Sequence, residues 1–356
     1  MRKEDYSINT IKKLDESIIK QWKELWEKAE NANIYNSYEW FLACVETFTI
    51  KEYEVYVCYK DGKLIAVLPL QPYKCFGVKV YGTFCRERLV DTPFLMKNYE
   101  KETFKYFFEN VFKRHNIYLQ KLDDKATKIL HELFPHLFIV LISVNPFIDL
   151  TGDPISAMLK SMVNRITKIM KKNTDVLRYE IYNTNLQKYF KALLALQEKS
   201  SKKTRSMDIF EDKKTKDYYS ALIKYCNKFV RINILYYNDL PIVYEFGFLY
   251  KNMYVGDQIS YHNDYKQLSP GKIMIFRLIE HLKNKNKQVT TLDQGGGISD
   301  YKQQFTQKYR LFYNVYYSNN IFVLFWWKSI NKIRRVKQVL FPKKFTRDHE
   351  FLFKTL

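Results

Sequence analysis

A three-residue turn, Ser269-Pro270-Gly271, stands directly before the best amphipathic helix pattern in the chain. Proline at the first position of a helix loses no hydrogen bond, and glycine lets a ligand approach the backbone closely. The amides of Gly271, Lys272 and Ile273, together with the helix dipole and the Lys272 ammonium, would converge on one anion. Alternatively, Ser269 is simply the N-cap of an ordinary helix. The pattern predicts an anion-binding turn or a plain helix cap.

Two carboxylates lie beside apolar residues, and for one of them, Asp91, these neighbours would raise the pKa to suit a general base. Asp91, in CRERLVDTPF, is expected at the end of a strand; the alternative is an ordinary turn aspartate before Thr-Pro. Glu245, in VYEFGF, would either activate an amine or face solvent on an alternating strand. Both are candidate catalytic residues.

A histidine and a third carboxylate flank the Ser269-Pro270-Gly271 turn in the sequence. His262 follows a predicted strand, and its imidazole titrates in a useful range, although a solvated histidine without function is the alternative. Asp293 closes the run VTTLD before three consecutive glycines, which permit unusual backbone angles near a ligand. It would orient an amine or cap the turn that follows.

Cysteine and metal chemistry find little support in the sequence. The five cysteines include no C-x-x-C pair, which argues against a disulfide framework and a structural zinc site. The six histidines show no H-x-x-x-H or H-E-x-x-H spacing, so we expect no protein-held metal. No Cys–His pairing is visible from spacing, which disfavours a cysteine relay.

Composition limits the classes of protein to which the chain can belong. Its 356 residues, 46% hydrophobic and 27% charged, indicate a folded protein with two domains of ordinary size. The longest apolar stretches, such as 137–144 and 321–327, fall far short of the ~20 residues that span a bilayer. The first residues, MRKED, are too charged to begin a signal peptide. We therefore expect a cytoplasmic protein.

The net charge of +21 indicates an anionic partner. Nucleic acid is the usual partner of so basic a protein. However, the basic residues are spread along the chain, and the abundance of Lys, Asn, Ile and Tyr is typical of a compositionally biased genome. A nucleic-acid partner is therefore disfavoured, whereas a polyanionic small molecule such as coenzyme A or a nucleotide-sugar fits the charge.

Two hairpin patterns divide the chain into similar halves. The run YEVYVCYKDGKLIAVLPLQ has β-rich segments on either side of Asp61-Gly62, and RINILYYNDLPIVYEFGFLY has them around Asn238-Asp239. Helices are predicted before each hairpin and again after the strands that follow it. We infer an internal duplication, the alternative being two unrelated α+β domains. The predicted helices are 17–29, 40–48, 101–114, 185–199, 216–228 and 271–283.

Turn residues and two basic amphipathic segments complete the prediction. The turn-rich run 145–154 predicts a boundary between domains at 1–150 and 151–356. Residues 158–170 form a basic amphipathic helix that either packs on the second domain or offers a ligand-binding face. The aromatic and basic segment 321–345 is predicted to be a final strand and helix, or to attach loosely to an anionic bilayer.

Three segments together resemble a known family. SPGKIMIFRLIEHL, TLDQGGGISDYKQQF and YRLFYNVYYS are similar to motifs of the GNAT acyltransferase superfamily, above all its tandem-domain branch of FemAB-like and CelD-like acyltransferases. In that branch L-S-P-G opens the helix after the long central strand, and an aspartate-x-x-x-G and Y-K-x-x-F pattern follows. Asp293, Gly297, Tyr301, Lys302 and Phe305 match the later pattern. The specific motifs cover residues 164–318.

The resemblance implies a mixed α/β (α+β) fold of two tandem GNAT-like domains, each with a mostly antiparallel central sheet flanked by helices. The N-terminal domain would serve the acceptor and the C-terminal domain would bind acyl-CoA. The superfamily's phosphate loop is commonly Q/R-x-x-G-x-G/A, whereas this chain has proline and lysine at the small positions. The coenzyme-binding residues implied are Gln267, Ser269, Gly271, Lys272, Ile273, Tyr301 and Lys302.

The implied activity is acyl transfer from acyl-CoA to an amino group, as in a nucleotide-linked amino sugar destined for surface polysaccharide. We expect direct attack in a ternary complex, in a cleft between the domains. The alternatives are a FemAB-type transferase that uses aminoacyl-tRNA and a peptidoglycan precursor, and a non-catalytic GNAT-like binding module. The location would be the cytoplasm or the inner face of the membrane. The candidate catalytic residues are Asp91, His262, Glu245 and Asp293.

Overall fold

Two tight hairpins organise the chain, as their turn residues predict. The computed structural model describes residues 5–204 and 208–340. At the first turn Asp61 and Gly62 have φ of +49° and +73°, and at the second Asn238 and Asp239 have φ of +46° and +63°. Positive φ at both central residues matches the right-handed twist of the flanking strands.

The first part of the chain alternates helices with a strand meander. The positions of the predicted helices 17–29, 40–48 and 101–114 are confirmed to within two residues. The elements are β1 (Tyr6–Ile11), α1 (Glu16–Lys28), α2 (Tyr38–Phe48), β2 (Glu54–Lys60), β3 (Lys63–Cys75), β4 (Val78–Thr83), β5 (Leu95–Met96), α3 (Lys101–Phe112), β6 (Ile117–Asp123), α4 (Asp124–Leu133) and β7 (Phe138–Asp149).

The second part largely repeats this order and adds helices, the longest of them at its end. Its elements are α5 (Lys160–Lys172), β8 (Leu177–Tyr182), α6 (Leu186–Gln197), α7 (Ser201–Thr204), α8 (Lys213–Tyr225), β9 (Val230–Tyr237), β10 (Leu240–Tyr250), β11 (Met253–Tyr261), α9 (Pro270–Lys285), β12 (Thr291–Asp293), α10 (Asp300–Gln303), β13 (Tyr309–Tyr317) and α11 (Ile321–Leu340).

The chain forms two compact units. Of the described residues, the first unit takes those up to Val45, then Thr49–Val144 and those from Arg310 on, and the second takes Glu46–Phe48 and Asn145–Tyr309. The break at residue 145 falls in the turn-rich run. The segment from Arg310 on differs from the predicted division at 151–356, because β13 pairs antiparallel with β6 and so joins the first unit.

The pairing pattern of each unit supports duplication. In the first unit β2, β3 and β4 form an antiparallel meander, α3 follows, and β6 then pairs parallel to β4. In the second, β9, β10 and β11 form the meander, α9 follows, and β12 pairs parallel to β11. The strand orders are β1-β2-β3-β4-β6-β13 and β12-β11-β10-β9-β8, and each sheet is mostly antiparallel.

Helices cover the sheets through their apolar faces. In the first unit the phenylalanines of α3 are buried against the sheet. In the second, Met162 and Ile166 of α5 pack with Ile273, Leu278 and Leu282 of α9. Full burial of each such side chain contributes about 1.5–3 kcal/mol. The packing interpretation of the 158–170 helix is thus confirmed for these two residues.

The C-terminal segment differs from its prediction. Residues 321–327, expected as a strand, form the start of helix α11, because Leu324 and Trp327 are one turn apart and both are buried against the first unit. Residues 341–345 of that segment lie outside the described residues. No described helix is long and apolar enough to cross a membrane.

Candidate functional site

The turn before α9 contains backbone hydrogen bonds that the sequence analysis did not predict. Ser269 is the N-cap, but its backbone is left-handed at φ +55°, and its side chain makes no capping hydrogen bond. Its carbonyl oxygen accepts from the amides of Lys272, at 2.9 Å, and Ile273, at 3.3 Å. The expected convergence of three amides on one anion is therefore wrong for two of them. Gly271 N is the one of the three without a bonding partner within the described chain.

Tyr301 forms a hydrogen bond with the turn before α9. Its hydroxyl donates to the carbonyl oxygen of Gly271 at 2.8 Å, and its ring meets Phe305 edge-on. A Cβ added at Gly271 would lie 3.4 Å from the Tyr301 hydroxyl, which is ordinary van der Waals contact. Tyr301 thus fixes the position of the turn, and burial raises its pKa well above the usual value.

Lys272 lies at the start of α9, and the charge of Arg165 on α5 acts on it. Lys272 is half-buried and its Nζ donates to Gln304 Oε1 at 2.6 Å, so its hydrogen-bond partner is neutral. Burial, and after it the charge of Arg165, lowers the pKa of Lys272. Arg165 is exposed on α5, and neither cation forms an ion pair with a carboxylate within the described chain. Gln267, in the preceding 3₁₀ turn, is exposed.

Asp293 and Lys302 form hydrogen bonds with the backbone of the glycine loop after β12. Asp293 is buried, and its Oδ1 accepts from Gly295 N at 2.8 Å. Lys302 donates from Nζ to the carbonyl oxygens of Gly295, at 3.0 Å, and Gly296, at 2.8 Å. The turn-capping interpretation of Asp293 matches this geometry, and Lys302 positions the loop.

Strands β11 and β12 separate at this loop. Their pairing covers only three residues and ends at Val255 opposite Asp293. Beyond it, the register of β11 against β10 shifts: Gly256 faces Gly247 and Gln258 faces Phe246. The pairing of β11 with β12 therefore ends just before this register shift.

Glu245 is buried inside the second unit, so the alternative that it faces solvent is wrong. It is 2% exposed. Tyr254 and Asn233 both donate to its Oε2, the latter at 2.6 Å. Burial raises its pKa to about 8, against the opposing effect of these two hydrogen bonds. Its Oε1 has no hydrogen-bond partner and would lie 3.1 Å from a Cβ at Gly256. The free oxygen is thus next to the first residue of β11 beyond its pairing with β12.

Sequence reasoning missed the residues that surround Glu245. Asn233 lies directly opposite Glu245 on the neighbouring strand, and Tyr179 donates to its Oδ1 at 2.7 Å. Asp257 accepts a hydrogen bond from Tyr219 at the register shift of β11. One signal was available: Asn233 is the single amide within the apolar run INIL, and hairpin register around the Asn238-Asp239 turn brings it close to Glu245.

His262 is buried, not solvated as the alternative supposed. It is the N-cap of the 3₁₀ turn Asn263–Leu268, and its Nδ1 accepts from Asp264 N at 3.3 Å. Its backbone N–H donates to Ile242 O, which fixes it beside the end of β11. Its ring packs edge-on against Tyr265. The imidazole therefore has a structural position, with Nδ1 already engaged.

Asp91 lies in the first unit and does not end a strand. It follows the 3₁₀ turn Arg86–Arg88 in an irregular segment, so that expectation is wrong. Arg310 Nη2 lies 2.6 Å from its Oδ2, and Thr92 N donates to its Oδ1 at 2.7 Å. Burial raises the pKa of Asp91, and the Arg310 charge opposes that effect. The carboxylate forms a buried ion pair in this unit.

Other features bear on cofactor chemistry. All five cysteines are free and buried. Among the described residues no cluster of three or more His, Cys, Asp or Glu side chains is placed to hold a metal ion.

Comparison with known proteins finds one family model that matches part of the chain. Residues 160–303 match the family described as an acetyltransferase (GNAT) domain. No curated protein matches the sequence.

Three solved structures share the fold at low sequence identity. FemX has a TM-score of 0.60 and 9% identity, covering 87% of this chain and 98% of its own. A protein of unknown function from Bacteroides thetaiotaomicron has a TM-score of 0.59 and 10% identity, with coverage of 88% and 100%. L-PGS from Bacillus licheniformis has a TM-score of 0.52 and 10% identity, with coverage of 86% and 93%. Residues 160–303 thus match the GNAT acetyltransferase domain family, and the fold of the chain is similar to that of FemX.

Proposed function

We propose that the protein is an N-acyltransferase that takes its acyl group from acyl-CoA. The observation that carries the proposal is the pair of cations without carboxylate partners, Lys272 and Arg165, at the start of α9. A coenzyme diphosphate would receive charge from both and a hydrogen bond from Gly271 N. The acyl arm would then run along the part of β11 that lies beyond its pairing with β12.

The residues on β10 and β11 supply what acyl transfer to an amine needs. An amine nitrogen attacks the thioester carbonyl, the C–S bond breaks, and the products are an amide and the free thiol of coenzyme A. A backbone N–H of β11 beyond its pairing with β12 would stabilise the developing oxyanion. Glu245 Oε1 would accept the proton that the amine loses, directly or through one water, since a pKa of about 8 suits a base near neutral pH.

The other candidates take supporting roles in this proposal. Asp293 and Lys302 fix the loop beside the acyl group, and Tyr301 fixes the coenzyme turn. His262 positions the end of β11. For Asp91 we infer a structural role, because a base that is already paired with Arg310 would have to break that ion pair to work.

The acceptor we infer is the amino group of a nucleotide-linked amino sugar. The basic charge of the chain suits an anionic acceptor, and the family resemblance favours surface-polysaccharide synthesis. The test follows free thiol release from acetyl-CoA and longer acyl-CoA with a panel of amino-sugar nucleotides. We expect release that depends on both substrates. Absence of release with every donor and acceptor would reject the proposal.

One other activity has a specific observation in its favour. The fold resembles FemX, and a net charge of +21 would suit a tRNA-borne donor. A FemAB-type transferase would move an aminoacyl group from aminoacyl-tRNA to a peptidoglycan precursor, with no thiol released. Transfer from charged tRNA in the absence of coenzyme A would select this alternative. A non-catalytic module would show neither reaction.

A further inference from the structure

Helix α11 carries most of the large hydrophobic side chains that are exposed in the described part of the chain. Seven large hydrophobic side chains are exposed in the described part of the chain, and five of them lie on this helix. Phe322 is 78% exposed, Phe325 60% and Trp326 53%. Soluble surfaces rarely gather large apolar side chains in this way unless they bind something.

The opposite face of α11 is firmly packed. Trp327 and Leu324 are buried among residues of β3, β4, β6, β7 and β13. Trp326, although largely exposed, donates from Nε1 to the carbonyl oxygen of Phe76 at 2.9 Å. Helical periodicity then directs Phe322, Trp326 and Ile333 outward on one stripe. The packing of Leu324 and Trp327 therefore fixes the orientation of the exposed side of α11.

Positive charge borders the stripe. Lys328 and Lys332 are exposed on α11, and the sequence of this helix contains no Asp or Glu. Lys74 and Lys79 are exposed on either side of the β3–β4 turn that Trp326 contacts. Aromatic residues in the centre with lysines at the edge are typical of helices that lie in the interface of an anionic bilayer.

We propose that the outer face of α11 and the β3–β4 turn dock on an anionic lipid surface. The geometry favours lipid over the other occupants. A duplex nucleic acid would gain little from the apolar centre, because most of its contacts are made to phosphate and sugar. A second copy would bring two lysine-edged helices without acidic partners together, at a net charge of +21 each. The proposal is independent of the acyl donor and acceptor.

Vesicle flotation tests the proposal with the full chain. We expect the protein to float with vesicles of phosphatidylglycerol and phosphatidylcholine, and not with pure phosphatidylcholine at the same ionic strength. Added salt should weaken the binding. Failure to bind the anionic vesicles, or equal binding to both kinds, would overturn the proposal.

A matched pair of variants locates the surface. Phe322→Ser with Phe325→Ser should lower the partition coefficient roughly tenfold or more, because two aromatic side chains leave the interface. Leu159→Ser with Leu240→Ser removes two exposed hydrophobic residues elsewhere and should leave binding unchanged. All four positions are exposed, so both variants should fold. Equal loss of binding in the two variants would contradict the assignment to α11.

Tryptophan emission reports insertion directly. Of the five tryptophans, Trp22, Trp26, Trp40 and Trp327 are buried, so only Trp326 can change its environment on binding. We expect a blue shift with anionic vesicles that Trp326→Phe abolishes while flotation persists. Concentration-dependent dimers without vesicles, in which the same shift occurs, would show a protein interface instead and would refute the lipid assignment.

Discussion

At the scale of single residues, Glu245 is the most unusual group in the second unit. Its Oε2 receives two hydrogen bonds, whereas its Oε1 has none, although burying an unsatisfied carboxylate oxygen is costly. Gly247 and Gly256 leave room beside that oxygen, since a Cβ at either position would lie within 3.1 Å of it. The arrangement leaves one buried carboxylate oxygen without a hydrogen-bond donor.

The raised pKa of Glu245 gives stability a definite pH dependence. The folded-state pKa of about 8 lies above the usual 4.5, so between these values the folded chain holds a proton that the unfolded chain has lost. The free energy of unfolding should therefore fall as pH rises from about 4.5 to 8, by at most about 1.4 kcal/mol per pH unit. Urea unfolding of wild type and Glu245→Gln across this range measures the difference.

Glutamine is the matched replacement, since it keeps an acceptor for Tyr254 and Asn233 and mimics the protonated acid. The variant should lose the slope that Glu245 contributes, and its thiol-release activity should fall by a factor of roughly 10²–10⁴. Identical pH slopes in the two proteins would show that Glu245 titrates normally. Wild-type turnover would remove it from the chemistry.

At the scale of elements, the close approach of the loop after β12 to strand β11 depends on Gly295. This residue has φ of +73°, and a Cβ there would lie 2.7 Å from Gly256 O. No side chain can be accommodated without moving one of the two backbones. The glycine thus lets the loop between Asp293 and Lys302 pass close to the main chain of β11.

Gly295→Ala should destabilise the protein by about 2–4 kcal/mol, the sum of a left-handed backbone and a backbone clash. Gly62→Ala is the control, because it shares φ of +73° but has no atom within 4 Å of its Cβ position. That variant should lose only about 1 kcal/mol. Urea denaturation measures both. Equal losses would mean that close approach to Gly256 is unimportant.

Local patterns predicted the elements far better than the contacts of the site. Asp61-Gly62 and Asn238-Asp239 identified both hairpins, since turn chemistry is a property of neighbouring residues. Residues 321–327 were predicted as a strand from their aromatic composition, but burial of Leu324 and Trp327 one turn apart decides for a helix. The bonds from Lys302 to the glycine loop and from Arg310 to Asp91 join residues that only the tertiary fold brings together.

At the scale of the whole molecule, the charge of +21 attracts anions in general. A specific coenzyme site must therefore be distinguished from this overall field. Lys272 and Lys285 lie on the same helix, one half-buried at its start and the other exposed in its last turn. Replacing either by glutamine lowers the net charge by the same amount, so any difference between the variants is local.

The most direct test is calorimetric titration of coenzyme A into wild type, Lys272→Gln and Lys285→Gln. The account predicts saturable binding by wild type, about tenfold or greater loss of affinity in Lys272→Gln, and unchanged affinity in Lys285→Gln. Equal affinities in all three proteins, or no saturable binding by wild type, would contradict a donor site at the start of α9.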